Sequence, residues 1–242
     1  MSIYVTGDCH GRFERFSEYR IKENLPELAE NDIIIVAGDI GLIWGEKDPF
    51  HVGPYLTRLS KNDLYWKKWL EDKPYTFLFV DGNHENFDLL ESFPHVEKFG
   101  SQAGQIGTNI FHLLRGQIYN ICSKTFFTMG GATSIDKSYR TPHISWWDRE
   151  IPTSKEWETA FKNLDTYDWN VDYVITHTAP DCFLNNRKDF EVWPDGCPVR
   201  QMLNRIAQNL TWKKWYFGHY HEDYDDLEIN CVWLYKDIKK IL

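Results

Sequence analysis

Apolar positions along the chain gather into short runs that stop abruptly at polar residues. Ile33-Ile34-Ile35-Val36-Ala37 has no polar face at all, the pattern of a strand buried on both sides. The runs Ile3 to Thr6, Tyr75 to Val80, Val171 to Thr176 and Trp215 to Phe217 read as further strands, being short and rich in β-branched or aromatic side chains. Between them the spacing changes to three and four. Phe13, Phe16 and Tyr19, with Arg20, begin one helix-like stretch; Tyr65, Trp66, Trp69 and Leu70 lie on one face of a helix opened by Asp63; Phe87, Leu89 and Leu90 suggest another before Phe93-Pro94. Thr153 and Glu156 have capping-box spacing ahead of Trp157, Ala160, Phe161 and Leu164, and Val199, Met202, Leu203, Ile206 and Leu210 mark a further helix. The segments around Val96, Ile106, Phe111, Ile118 and Phe126 alternate as antiparallel strands of a second sheet would. Three loops are long: Gly41 to Pro54, Pro142 to Pro152, which is a candidate flap, and Thr178 to Pro198.

The polar residues that end these runs carry the chemistry. Ile3 to Thr6 leads to Gly7-Asp8-Cys9-His10-Gly11, Ile33 to Ala37 to Gly38-Asp39, and Tyr75 to Val80 to Asp81-Gly82-Asn83-His84-Glu85. His177 closes the strand that starts at Val171, and Trp215 to Phe217 leads to Gly218-His219-Tyr220-His221. Ligands in open α/β sheets bind at the carboxyl ends of strands. Asp8 and His10, like His219 and His221, stand two apart, so in an extended segment both side chains of a pair face the same way. Asp39 has two oxygens with which to bridge two cations, Asn83 offers a neutral carbonyl oxygen, and His84 has a pKa near neutrality. Each taken alone has a bland explanation as a turn aspartate, a surface histidine or a Gly-Asn turn. Their occurrence together and in this order does not.

Composition narrows the picture. The 242 residues, 42% of them hydrophobic and 16% aromatic, suit one α/β domain over 1–242. A formal charge of −9 argues against general nucleic-acid binding, so an anionic substrate must be attracted locally. The five cysteines are scattered and never spaced Cys-x-x-Cys, and the amino terminus does not resemble a signal peptide, which points to the cytoplasm; no apolar run is long enough for a membrane.

On the blocks from Asp8 to His221 the sequence resembles the calcineurin-like metallophosphoesterase superfamily. The resemblance implies an α/β fold, a four-layer α/β/β/α sandwich of two mixed β-sheets with a dinuclear metal site at the strand ends. It implies that Asp8, His10, Asp39 and His221 hold one metal and Asp39, Asn83, His177 and His219 the other, with Asp39 bridging. The cofactors would be two divalent metal ions, Mn²⁺, Fe or Zn²⁺ with Mn²⁺ preferred, a choice that suits mixed imidazole, carboxylate and amide donors. Hydrolysis would proceed by attack of a metal-bridging hydroxide on a phosphate ester, with Asp39 and His84 as the catalytic residues and His84 the general acid.

The match to branches of the superfamily is divided. Gly7 to Gly11 and Gly82 to Glu85 look like the protein phosphatases and the diadenosine-polyphosphate hydrolases. Those enzymes carry an Asp-Arg pair shortly after the second-block aspartate, however, and here Leu42-Ile43 stands there. Arg12 or Arg140 is the candidate substitute at the substrate phosphate. Gly218 to His221 looks like the phosphodiesterase and nuclease branches, which favours a diester, a nucleotide among the candidates. The alternatives are a phosphomonoesterase or phosphoprotein phosphatase and, from another class, a non-catalytic protein-interaction scaffold. Gly130 to Ser134, with Asp136, Lys137 and Arg140, is either a phosphate-facing turn or a solvated loop, and Lys137 and Tyr139 share that ambiguity. Trp44, Trp146 and Trp147 either stack on a base or pack within the domain.

Overall fold

The computed structural model describes every residue except 26, 51, 54, 188 and 191–195. Its first sheet runs Lys239–Lys240, Ile3–Thr6, Ile33–Ala37, Thr76–Val80, Ile110–Leu113, Ser101–Gln105 and His95–Lys98 from edge to edge. Its second runs Tyr224–Asp226, Cys231–Trp233, Lys214–Phe217, Tyr173–Thr176, Lys124–Met129 and Ile118–Ile121. Both are mixed, and in each the central strands are parallel. Parallel strands end on the same edge, which is why loops far apart in sequence can meet there.

The two faces of each strand go to different layers. Ile33, Ile35, Leu78 and Val80 pack inward against Phe126, Tyr173, Ile175 and Tyr216 of the other sheet. Ile34, Val36, Phe77 and Phe79 turn outward onto Phe13, Phe16, Ile21, Leu70 and Leu90. On the far side Phe127, Val174, Trp215 and Phe217 meet Trp157, Leu164, Leu203 and Ile206. The result is the expected α/β/β/α sandwich. Strands covered on both faces cannot afford polar positions, and the uninterrupted apolar runs follow from that.

The helix Lys61–Glu71 starts at Ser60, whose side chain and that of Asp63 cap one another's backbone; Thr153 and Glu156 do the same for Ser154–Thr166. Among the described residues no helix is long and apolar enough to cross a membrane.

Three expectations need correction. The strands at 95–98, 101–105 and 110–113 extend the first sheet rather than founding the second, because Ile110–Leu113 pairs in parallel with Thr76–Val80; only Ile118–Ile121 and Lys124–Met129 join the second. The loop 178–198 contains the helix Asp181–Asn186, and its residues 188 and 191–195 lie outside the described set. The loop 41–54 contributes Glu46–Lys47 to a small hairpin with Leu56–Arg58; residues 51 and 54 again lie outside.

Candidate active site

Five strand ends converge at the edge where the two sheets meet. Asp8 follows Ile3–Thr6, Asp39 follows Ile33–Ala37, Asn83 and His84 follow Thr76–Val80, His177 follows Tyr173–Thr176, and His219 and His221 follow Lys214–Phe217. Hydrogen bonds cross here between loops of the two sheets. The Nδ1 of His177 lies 3.0 Å from the Ala37 carbonyl oxygen, and the His219 backbone N–H donates to both Asp8 carboxylate oxygens at 3.1 and 2.9 Å.

The local backbone is unusual at these positions. His10, Asp39, His219 and His221 all have positive φ, between 48° and 71°. Non-glycine residues are rarely held there, and such conformations cluster at functional sites. The alternation expected of an extended Asp-x-His or His-x-His segment therefore does not place these side chains; left-handed turns do. Gly82 serves a second purpose, since a Cβ on it would collide with the Asp39 carboxylate.

The donor set is what a divalent cation needs. A carbonyl oxygen only accepts, so His177 carries a proton on Nδ1 and turns Nε2 toward two more acceptors, Asn83 Oδ1 at 3.0 Å and Asp39 Oδ2 at 3.4 Å. A lone pair facing two oxygens requires a positive centre between them, a proton or a metal. Similarly, His10 Nε2 lies 2.9 Å from His221 Nε2, 3.8 Å from Asp39 Oδ2 and 4.0 Å from Asp8 Oδ1. Asp8, His10 and His221 form one compact trio of donors and Asp8, Asp39 and His177 another.

Burial and the mutual charges of these groups set their titration. Burial pushes Asp8 up, and the Asp39 charge adds to the rise; His177, with His84 and His10, overcomes the same burial penalty at Asp39 and holds it low. Burial acts to lower His177, but Asp39 and Asp8 outweigh it and raise its pKa to about 10. His10 is pushed down to about 4 and His219 to about 3, in both cases chiefly by burial. Neutral imidazoles are the form that ligates metal.

Several supporting residues carry no sequence signal. Asn83 Nδ2 donates to Ser134 Oγ at 3.0 Å, and Ser134 Oγ donates in turn to Glu150 Oε2 at 2.6 Å, which orients the amide with Oδ1 toward His177. Arg15 donates to Thr6 Oγ1, to the Gly7 and Asp8 carbonyls, and to the Tyr235 carbonyl at 2.7 Å, clamping the Asp8 loop to the turn that follows Cys231–Trp233. Glu85 accepts the Ile40 N–H at 2.9 Å; burial and the charges of Asp39 and Asp81 push its carboxyl well above the usual range. Partners such as these are set by folding alone.

The candidate arginines separate. Arg140 Nη2 reaches His84 Nε2 at 3.3 Å while a bidentate pair with Asp136 holds the guanidinium in place, whereas Arg12 lies on the His10 and His221 side. Segment 142–152 is not a free flap. Trp147 is 1% exposed and its Nε1–H donates to Asp88 Oδ2, which also meets His143 Nδ1, both at 2.8 Å. Trp146 is buried, with Lys137 Nζ 3.9 Å above its ring, so both tryptophans pack within the fold, while Lys137 and Tyr139 are exposed. Trp44 alone of the three tryptophans lines an opening beside His10 and His84.

The family model for calcineurin-like phosphoesterases matches residues 1–223. The chain belongs to that family. That family is one of phosphoester hydrolases. Similar curated proteins are the lariat debranching enzymes of Saccharomyces cerevisiae, 25% identical over 81% of this chain and 45% of that protein, and of Schizosaccharomyces pombe, 28% identical over 50% and 24%. The chain thus matches less than half the length of either relative. A solved structure provisionally described as a 5′-nucleotidase from Staphylococcus aureus, in complex with α-ketoglutarate, aligns with 99% of this chain and 50% of its own at 12% identity and a TM-score of 0.49.

Proposed function

We propose that this phosphoesterase hydrolyses a phosphodiester, and the observation that carries the reading is the shape of the site. Three clefts of about 370 Å³ each meet at it. Three imidazoles divide them pairwise: His84 stands between the cleft of Tyr220 and Phe190 and that of Trp44, His221 between the first and the cleft of Arg12, and His10 between the last two. A phosphomonoester has one substituent to house and needs one exit. A diester has two, and a junction of clefts accommodates both.

In this reading Asp8, His10, Asp39 and His221 hold one divalent ion and Asp39, Asn83, His177 and His219 the other, with Mn²⁺ the preferred metal for a mixed oxygen and imidazole set. Bound there, such ions supply a water ionised near neutral pH and neutralise charge developing on the phosphoryl oxygens. The chain's own residues do the rest. Guanidinium groups only donate, so His84 Nε2 accepts from Arg140 and its proton sits on Nδ1. Burial lowers the His84 pKa and Arg140 pushes the same way, against Asp39 and Asp136. A substrate phosphate that draws Arg140 onto its oxygen reverses this, replacing a cation beside His84 with an anion. His84 then takes up a proton at Nε2 and delivers it to the departing oxygen.

The test is hydrolysis of bis(4-nitrophenyl) phosphate and 4-nitrophenyl phosphate by metal-stripped protein, before and after adding Mn²⁺, Fe²⁺ or Zn²⁺, with Asn83→Ala alongside. Restored diester cleavage that the variant lacks is expected. Faster monoester turnover would transfer the assignment to a phosphomonoesterase, and failure on both esters with every metal would favour a binding scaffold.

A further inference from the structure

The cleft between His10 and His221 has a composition at odds with the rest of the molecule. In a chain of formal charge −9 it is lined by Arg12, Arg15 and Lys236, with Tyr235 beside them. Arg15 is committed to backbone oxygens on both sides of the cleft. Arg12 and Lys236 are not: both are exposed, and among the described residues neither makes an ion pair. The nearby acids are occupied. Asp223 accepts the backbone N–H groups of Tyr235, Lys236 and Asp237 at 2.7 to 3.1 Å, and Asp237 pairs with Lys239 at 3.3 Å. Asp8 faces the donor cluster and the His219 N–H.

This wall is also fixed in place. The Asp223 carboxylate pins the 235–237 turn from one side and Arg15 holds the Tyr235 carbonyl from the other. The Tyr235 ring stacks on the His221 imidazole, with centroids 4.7 Å apart and planes 18° from parallel. Two unpaired cations on a rigid, aromatic-lined cleft that opens onto the reacting centre form a site for an anion.

We infer that this cleft binds a second phosphate group of the same substrate, carried on the substituent that stays with the scissile phosphorus. The inference rests on the diester reading above. His84 separates the other two clefts and does not line this one, so the group that departs beside His84 lies in one of those, and the retained substituent extends past His10 and His221 toward Arg12 and Lys236. The substrate class is therefore a nucleotide diester with a further phosphate one sugar away. That phosphate is either a terminal dianion or the next internucleotide linkage.

The experiment compares thymidine 5′-(4-nitrophenyl phosphate) with its 3′-phosphorylated and 3′-methylphosphorylated forms, which share one leaving group and differ only on the retained side. The wild-type kcat/KM is expected to favour the 3′-phosphorylated forms by about tenfold, one good charge-assisted contact's worth, and to lose that ratio at high salt. Within Lys236→Ala and Arg12→Ala the same ratio should fall, and in the double variant it should approach one. Preference for the dianion alone identifies a terminal phosphate; equal preference for the methyl ester identifies an internucleotide linkage. A wild-type ratio of one, or a ratio that survives in the double variant, overturns the inference. Calorimetric binding of thymidine 3′,5′-bisphosphate against thymidine 5′-phosphate to Mn²⁺-loaded protein reads the cleft without turnover. Were the diester reading to fail, equal affinities would overturn the cleft as well, and tighter bisphosphate binding abolished in the double variant would sustain it.

Discussion

Two buried polar clusters flank the strand Thr76–Val80 and its end, and they are built on opposite principles. Around Asp81, the carboxylate accepts from Arg115 Nε and Nη2 at 2.9 and 2.6 Å and meets His112 Nε2 at 2.9 Å. A larger cavity, 470 Å³, opens beside this cluster, yet its charges are already answered within the protein, Arg149 included, which pairs with Glu91 and Glu156. Around Asp39, two carboxylates and four imidazoles converge, and among the described residues no arginine or lysine pairs with either carboxylate. The first arrangement pairs its charges within the protein, and the second is the one that a bound cation would complete. Cavity size selects the first; uncompensated donors select the second.

The contrast can be broken most forcefully at Asp39. Asp39→Asn removes the carboxylate shared by both proposed metal positions, so turnover should fall by about 10³ or more, as when one member of a group acting as a unit is lost. Metal binding should fall with it, while the metal-free protein keeps its fold, because the new amide oxygen can still accept the His84 N–H. Loss of fold instead would show that the donor cluster is structural.

Arg115→Ala should do the reverse. Leaving Asp81 buried without its guanidinium should cost about 3–5 kcal/mol in urea or thermal unfolding, with a much smaller effect on Mn²⁺ affinity than Asp39→Asn has. This cluster also sets an acid limit. Burial raises the Asp81 carboxyl, but Arg115 and His112 outweigh it and leave the pKa well below the ordinary value. Its stabilisation is thus full above the ordinary carboxylate range and lost as pH falls through that range toward the depressed pKa. The pH dependence of unfolding should flatten on the acid side in Arg115→Ala; an unchanged slope would remove Asp81 from the account.

Ser134→Ala sharpens the comparison more gently. Without the hydroxyl, Asn83 can rotate its amide, and Mn²⁺ affinity should drop about 10- to 100-fold, the usual cost of losing a group that orients a ligand. Direct titration of the metal would show it, and an unchanged affinity would reduce the Ser134–Glu150 link to packing. The smallest signal is a proton. With His177 raised to about 10, metal binding near neutral pH should release about one proton from it, seen as a dependence of binding heat on buffer ionisation.

Much of this was legible in the chain. Ile33 to Ala37 could only be a doubly covered strand, and Thr153 with Glu156 could only begin a helix, because each signal is local. The candidate donors were legible for a related reason: they stand immediately after strands, where a short apolar run ends in Asp, Asn or His. The assignment of Ile110–Leu113 to the first sheet was not legible, since pairing with Thr76–Val80 lies 33 residues away in register and leaves no mark on either segment.

What the sequence determined by itself is which side chains stand at strand ends and which faces are apolar, because both follow from neighbours a few positions away. The tertiary structure decided everything that depends on distance through space. It turned His10, Asp39, His219 and His221 through left-handed backbone, gave Asn83 its orientation through Ser134 and Glu150, and chose Arg140 over Arg12 as the neighbour of His84. It also buried Trp146 and Trp147 while leaving Trp44 at the opening. The physical reason is that a hydrogen bond or a charge acts on whatever folding brings within a few ångströms, and a linear pattern records its own periodicity but not its partners.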